Sequence, residues 1–148
     1  MSRQSTSRRI GWRLARRHPA IAGRRKGVAA TEAALCLPLL IVLTFASIEA
    51  CDAIFLTHSL NVAAYETIRV AVQPKSTNLD SNALASSTLA DQHVHDATVT
   101  YDPPDIGDVN RGQPITITIS APVDSNSVLP SWFFTGRTLS ARITMVKE

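Results

Sequence analysis

The chain has 148 residues, of which 45% are hydrophobic, 18% charged and 5% aromatic, and its formal net charge is +3. This length fits one modest domain and excludes two large ones. The charge is uneven, because residues 1–27 contain nine of the fifteen Lys and Arg residues and none of the twelve Asp and Glu residues. Residues 28–148 therefore carry a net charge of −6. Since the basic excess lies in one N-terminal segment, we expect no nucleic-acid partner.

The N-terminal half contains a polar segment followed by an apolar one. Residues 1–27 hold too few large apolar side chains to build a core, and we interpret them as a basic cytoplasmic leader. The next twenty-one residues, Val28–Ile48, include a single charged side chain, Glu32. As a helix rising about 1.5 Å per residue they would extend roughly 31 Å, which matches the hydrocarbon layer of a bilayer. We therefore predict a transmembrane helix over residues 28–49.

The charges on either side of this helix predict its orientation. The basic leader precedes it, whereas Glu49 and Asp52 follow it. Positive flanking charge stays on the cytoplasmic side of bacterial membranes. We therefore expect a single-pass protein of the bacterial inner membrane, with its N-terminus in the cytoplasm and its C-terminal domain in the periplasm.

The helical pattern continues beyond the apolar span. Over residues 50–73 the apolar side chains recur at helical spacing, and no Gly or Pro interrupts the pattern before Pro74. Because proline disfavours helical geometry in the residue before it, the helix should end near Gln73. We predict one continuous helix over about Val28–Gln73, with an amphipathic second part.

Residues 74–148 have the pattern of a small exported α+β domain. A short helix is predicted over Ser81–Gln92, with Asp80 or Ser81 as its N-cap. Three segments rich in β-branched residues follow, separated by Pro and Gly. These predicted strands are Ala97–Tyr101, Ile115–Ala121 and Leu139–Val146. The predicted fold is thus a long N-terminal transmembrane and amphipathic helix, a short helix and a small three-stranded antiparallel sheet.

The connection between the last two strands is unusually apolar. Residues 123–136 contain Leu129, Trp132, Phe133 and Phe134. We expect this connection to fold back over the sheet as part of the core. The alternative is an exposed apolar contact patch.

Glu32 is the most informative single residue, because a carboxylate inside an apolar helix costs about 2.5–3.5 kcal/mol to insert and so marks a functional site. A Gly after a basic run and a Glu five residues later resemble the class III signal of type IV prepilins, which is cut before the apolar helix. Cleavage after Gly27 would free the α-amino group of Val28 as a partner for Glu32, in its own or a neighbouring subunit. The alternative is that Glu32 extends toward Lys26 or solvent at the cytoplasmic face.

From Arg24 onward the chain resembles the TadE-like pseudopilins of the tight-adherence (Flp) pilus system. These proteins open with a basic-Gly-Ala-Ala-x-x-Glu-x-Ala-Leu-x-x-Pro-Leu-Leu run, which is similar to Lys26–Leu40, where Ala33 replaces the aromatic residue that often follows the Glu. They continue with a Leu-x-x-Ala-Ala-x-x-x-x-Arg segment, matched by Leu60–Arg69. The resemblance implies that Gly27 is the last leader residue, Val28 the mature N-terminus and Glu32 the carboxylate used in processing or assembly.

The resemblance also implies a role and partners. The chain would be a minor, non-enzymatic pseudopilin that supports biogenesis of a tight-adherence, type IVb pilus. Its partners would be a prepilin peptidase, other pilin-like subunits, the pilus assembly platform and membrane lipid. We expect no catalytic residues, no cofactor and no metal site.

The two cysteines leave alternatives open. Cys36 and Cys51 would lie roughly 22 Å apart along a continuous helix, which is too far for a disulfide within one subunit. Cys51 could instead form an intermolecular bond, or remain an unpaired thiol at a helix interface. The alternative function is an exported binding protein, anchored by the helix or lipidated at Cys51.

Overall fold

The computed structural model describes residues 22–148, with side chains from Gly27 onward. Its elements are the helices α1 (Ala22–Ala71) and α2 (Asn78–Asp91) and the strands β1 (Thr98–Asp102), β2 (Pro114–Pro122) and β3 (Thr138–Val146). The predicted α+β fold, with its long helix, short helix and three-stranded antiparallel sheet, is confirmed. The chain divides after Pro38 into two compact units, which are described separately.

In the first unit the described residues are helical. Helix α1 begins at Ala22, six residues before the predicted start at Val28, so that Gly27 lies inside the helix. The extra residues include Ala, Arg and Lys, which favour helix and allow it to extend backward. The greater part of the predicted leader, residues 1–21, lies outside the described residues.

In the second unit α1 ends at Ala71, two residues before the predicted end. The amide of Gln73 donates to the carbonyl of Val70 at 3.1 Å, which tightens the chain into a turn before Pro74. This three-residue bond is the usual way in which a last helical turn closes. Proline therefore stops the helix as predicted, with a short turn between the two.

Helix α2 starts earlier than predicted because a different residue caps it. The N-cap is Thr77, not Asp80 or Ser81. The Thr77 hydroxyl accepts the Asp80 amide at 3.4 Å, and the Asp80 carboxylate accepts the Thr77 amide at 3.1 Å. These reciprocal bonds form a capping box. The Thr77 hydroxyl also donates to the Asp80 carboxylate at 2.7 Å, and this bond, together with the one from the Thr77 amide, holds the pKa of Asp80 below its usual value. The capping box adds a turn to the predicted helix.

The sheet follows chain order, with β2 between β1 and β3 and both pairings antiparallel. Every second residue of β2 is fully buried, as the alternating sequence predicts. These residues are Ile115, Ile117, Ile119 and Ala121. On the other face Thr116 pairs with Thr144 across the strands, with their hydroxyl oxygens 2.8 Å apart.

The second part of α1 supplies the other half of the core. Its residues at helical spacing are buried in one cluster with the inward face of β2, including Leu56, Leu60, Ala63, Ala64, Ile68 and Ala71. This confirms the amphipathic pattern predicted for residues 50–73. Val70, predicted on the apolar side, is only half-buried. The inward face of the sheet is therefore covered by the second part of α1, the same helix that contains the apolar segment.

Candidate functional site

The apolar segment of α1 exposes its large side chains. Among the described residues, one stretch of helix is long and apolar enough to cross a membrane. It lies within Gly27–Ala71 of α1. Its exposed large apolar side chains before residue 49 are Val28, Leu35, Leu37, Leu39, Leu40, Ile41, Val42, Leu43, Phe45 and Ile48. Such a surface is compatible with a single-pass membrane anchor.

The hydroxyl groups in this segment are satisfied within the helix. Thr31 donates to the carbonyl of Val28 at 2.7 Å, and Thr44 donates to the carbonyl of Leu40 at 2.8 Å. Ser47 makes the same kind of bond to Leu43. Polar groups in lipid must be paired, and bonds to carbonyls three or four residues earlier do this without a partner. These three hydroxyl groups therefore need no hydrogen-bond partner outside the helix.

The predicted processing residues lie at the start of this segment. Gly27 and Val28 are exposed helical residues, and a side-chain carbon added at Gly27 would meet no atom within 4 Å. Glu32 is exposed and follows Val28 by four residues, so that both face the same side of α1. The structure thus leaves these three positions accessible. It does not test their roles, which stay predictions.

Glu49, at the end of the apolar segment, makes the most elaborate polar contact of the described residues. Its side chain is 6% exposed. One carboxylate oxygen, Oε1, accepts the amides of Trp132, Phe133 and Phe134 at 2.7, 2.8 and 2.8 Å. The second oxygen, Oε2, accepts the Phe133 amide at 3.0 Å. Three successive backbone amides that point at one anion form a nest, a known arrangement for binding negative charge.

These bonds fix a loop that we call the aromatic loop, residues 128–134. At its start, the Val128 amide donates to Asp52 Oδ2 at 3.1 Å. Beside it, Asp124 accepts the Ser131 hydroxyl and, at 2.8 Å, the Gly136 amide. Those two bonds lower the pKa of Asp124 from its usual value. Three carboxylates therefore hold the loop, two of them from α1.

The expectation that residues 123–136 fold into the core is wrong for most of their aromatic side chains. Only Phe134 packs against the core, where it is partly buried. Trp132 is 76% exposed, Phe133 53% and Val128 81%. Because the loop amides are bound to Glu49, the loop lies along α1 and turns these side chains outward. The alternative of an exposed apolar patch is the arrangement found.

The aromatic loop and α1 together line an open recess of about 390 Å³. Phe45 contributes the helix side, and Leu129, Pro130 and Trp132 contribute the loop side. In the sequence, Glu49 and Asp52 stand out only as the charges that follow the apolar segment, and nothing there connects them with this loop. Their position directly after the apolar segment is the one sequence signal for a special role. The contact with Trp132 has no local pattern, because 83 residues separate it from Glu49 along the chain.

Both cysteines are free and exposed. Cys51 lies on α1 two residues after Glu49, and the structure leaves its thiol accessible for the predicted intermolecular bond without testing it. From Ala22 to Glu148, no three His, Cys, Asp or Glu side chains gather into a group that could hold a metal ion.

Comparison with known proteins agrees with the resemblance found in the sequence. A family model described as TadE-like protein matches residues 27–69. The match covers the apolar segment and most of the part of α1 that packs on the sheet. No curated protein and no solved structure matches the chain significantly. The resemblance to the TadE-like family is thus confirmed over residues 27–69.

Proposed function

From the TadE-like match over residues 27–69, we propose that this chain is a minor pilin-like subunit, a pseudopilin, for biogenesis of a tight-adherence (Flp) pilus. The observation that carries the proposal is the coincidence of that match with an exposed apolar helix that can anchor in a membrane. The subunit acts by packing its helix against others, and it needs no catalytic group or cofactor of its own.

The proposed sequence of events begins with insertion. The basic leader stays in the cytoplasm, residues 28–49 span the inner membrane, and residues 50–148 enter the periplasm. A prepilin peptidase then cuts after Gly27. The cut removes a leader of net charge +9 and leaves the apolar helix at the new N-terminus.

Glu32 acts after the cut. Its carboxylate lies one helical turn from Val28, on the same side of α1. Pairing with a freed α-amino group, in its own or a neighbouring subunit, offsets the cost of holding a charge at the membrane. Other pilin-like subunits and the assembly platform would supply the neighbouring helices.

N-terminal sequencing of the protein from membranes of its native host tests the proposal. We expect the chain to start at Val28. A chain that starts at Met1 would contradict processing, and a blocked N-terminus at Cys51 would support a lipidated binding protein instead. Gly27→Leu should abolish the cut without disturbing the helix, because the space beside Gly27 is open.

Glu32→Gln tests the assembly step. The variant should insert normally but be processed or incorporated less well than the wild type, as measured by membrane fractionation and pilus yield. Glu66→Gln on the same helix is the matched control and should behave as wild type, because the Glu66 side chain is 45% exposed and makes only a weak surface pair with Arg69, at 4.0 Å. Normal pili in the Glu32→Gln strain would contradict the proposed role.

A further inference from the structure

The aromatic loop lies at the level where the apolar segment of α1 ends. Its amides at Trp132, Phe133 and Phe134 bind Glu49, and Phe45 lines the helix side of its recess. Phe45 is four residues before Glu49, or one helical turn, within the apolar segment. The loop is therefore beside the last turn of the segment that is proposed to span the membrane.

The outward surface of this loop is apolar and uncharged. Val128, Trp132 and Phe133 are its exposed large side chains. No charged residue occurs from Ser125 to Gly136. Tryptophan is enriched where a membrane meets water, because its ring is apolar and its N–H is polar.

Most of the backbone amides of the loop are already paired from the protein side. Four of its backbone amides are bound, one by Asp52 and three by Glu49. Moving unpaired amides out of water would cost free energy, because they would lose their hydrogen bonds to water. Since these amides are paired, the loop can leave water at a smaller cost. Next to it Arg137, whose guanidinium lies 5.6 Å from the centre of the Phe134 ring, provides a positive charge at the same level.

We propose that the aromatic loop is a second membrane contact, which inserts Trp132 and Phe133 into the interfacial layer of the outer leaflet beside the end of the transmembrane part of α1. The proposal rests on the proposed function, in that α1 must span the membrane. The occupant is lipid because the patch is continuous with the surface that lipid would already cover. The loop would then fix the depth of the helix and the tilt of the periplasmic domain.

Quenching of tryptophan fluorescence by brominated lipids tests this proposal in the full chain. The chain has two Trp residues, and Trp12→Phe leaves Trp132 as the reporter. The protein is reconstituted into phosphatidylcholine and phosphatidylglycerol vesicles with bromine near the headgroup end or near the middle of the acyl chains. We expect Trp132 to emit at a shorter wavelength than a tryptophan exposed to water. Its emission should lose more intensity with the shallow bromine than with the deep one.

Two reference chains, both with Trp12→Phe and Trp132→Phe, separate the possible failures. Leu40→Trp places a reporter on an exposed side chain nine residues before Glu49, about 13 Å deeper along the helix. It should be quenched best by the deep bromine. Leu79→Trp places a reporter on α2, at a side chain that is 78% exposed, and should not be quenched by lipid.

Each outcome decides between the two proposals. If the Leu40→Trp chain is quenched but Trp132 stays exposed to water, the membrane contact is wrong and the anchor stands. If the Leu40→Trp chain is not quenched, the helix does not span the bilayer and both proposals are wrong. If Trp132 is shielded from water without lipid quenching, and the shielding weakens as the protein is diluted in lipid, a second copy covers the loop and the contact with lipid is wrong.

Discussion

Glu49 shows how one carboxylate can position a whole loop. Its two oxygens accept four hydrogen bonds from three successive amides, although the side chain lies at the end of an apolar helix. Bonds to an ionised acceptor are stronger than bonds between neutral groups. The conformation of residues 132–134 therefore depends on the charge of one residue of α1.

We expect Glu49→Gln to loosen the aromatic loop while the sheet keeps its structure. Glutamine has one acceptor oxygen and no charge, so that it cannot bind all three amides equally well. Hydrogen exchange of the detergent-solubilised chain should show faster exchange at residues 132–134, with β2 unchanged. Glu66→Gln serves as the control, because Glu66 pairs with Arg69, whereas the loop amides bind Glu49 and Asp52. Unchanged protection at residues 132–134 would show that Glu49 does not hold them.

The sequence could not have predicted this contact. In the sequence, Glu49 is a charge that follows the apolar span and Trp132 is part of an apolar connection, and no periodicity relates residues 83 positions apart. The pattern of large apolar side chains favoured burial of the loop. Burial was prevented because the amides of the loop bind to α1 and orient Trp132 and Phe133 away from the sheet.

At the scale of elements, the end of α1 is held by the end of β3. Lys147 is 6% exposed, and its Nζ donates to the carbonyls of Ala71 and Ile106 and to the Ser76 hydroxyl at 3.1, 3.2 and 3.1 Å. The Glu148 amide also donates to the carbonyl of Val72 at 2.9 Å. A cation at the C-terminus of a helix is favoured by the helix dipole and satisfies its free carbonyls.

Lys147→Met should therefore destabilise the domain that α1 forms with α2 and the sheet. The variant keeps most of the apolar stem but leaves the carbonyls of Ala71 and Ile106 without this donor, and we expect a loss of about 2 kcal/mol in the free energy of unfolding. Urea titration in detergent, followed by circular dichroism, measures this change. Arg142→Met, at an exposed position of β3, is the control and should change stability by less than about 0.5 kcal/mol. Equal effects of both variants would contradict the role of Lys147.

The elements themselves were predictable because each repeats a local pattern. Alternation in β2 gave its inward residues, and helical spacing gave the buried side of α1. The ends of elements were less accurate, since they depend on single contacts. Thr77 caps α2 through its bonds with Asp80, and the earlier start of α1 depends on how far a helix extends into a polar segment.

At the scale of the whole molecule, the proposed topology places the two thiols in different surroundings. Cys36 belongs to the span over residues 28–49, and Cys51 lies just beyond it. We expect a membrane-impermeant maleimide added from the periplasmic side to label Cys51 and not Cys36, because a reagent in water reaches only the second. Mass spectrometry of the labelled chain measures the result.

Single-cysteine chains provide the controls for this experiment. The Cys36→Ser chain should be labelled from outside, and the Cys51→Ser chain should be labelled only after the membrane is dissolved in detergent. Labelling of Cys51 only from the cytoplasmic side would reverse the proposed orientation. Such a result would also exclude a contact of the aromatic loop with the outer leaflet.

The core shared by α1 and the sheet has a consequence for biosynthesis. The helix residues that cover the isoleucines of β2 are translated before any strand, so that the template for the sheet is in place when the strands arrive. These helix residues are continuous with the apolar segment. Each strand therefore packs against a helix that the proposed membrane anchor already holds in place. Hairpin pairing in chain order then brings β3 last. Under the proposed topology, folding of residues 50–148 would be coupled to translocation, and a stall before β3 would leave one edge of β2 unpaired and open to proteolysis.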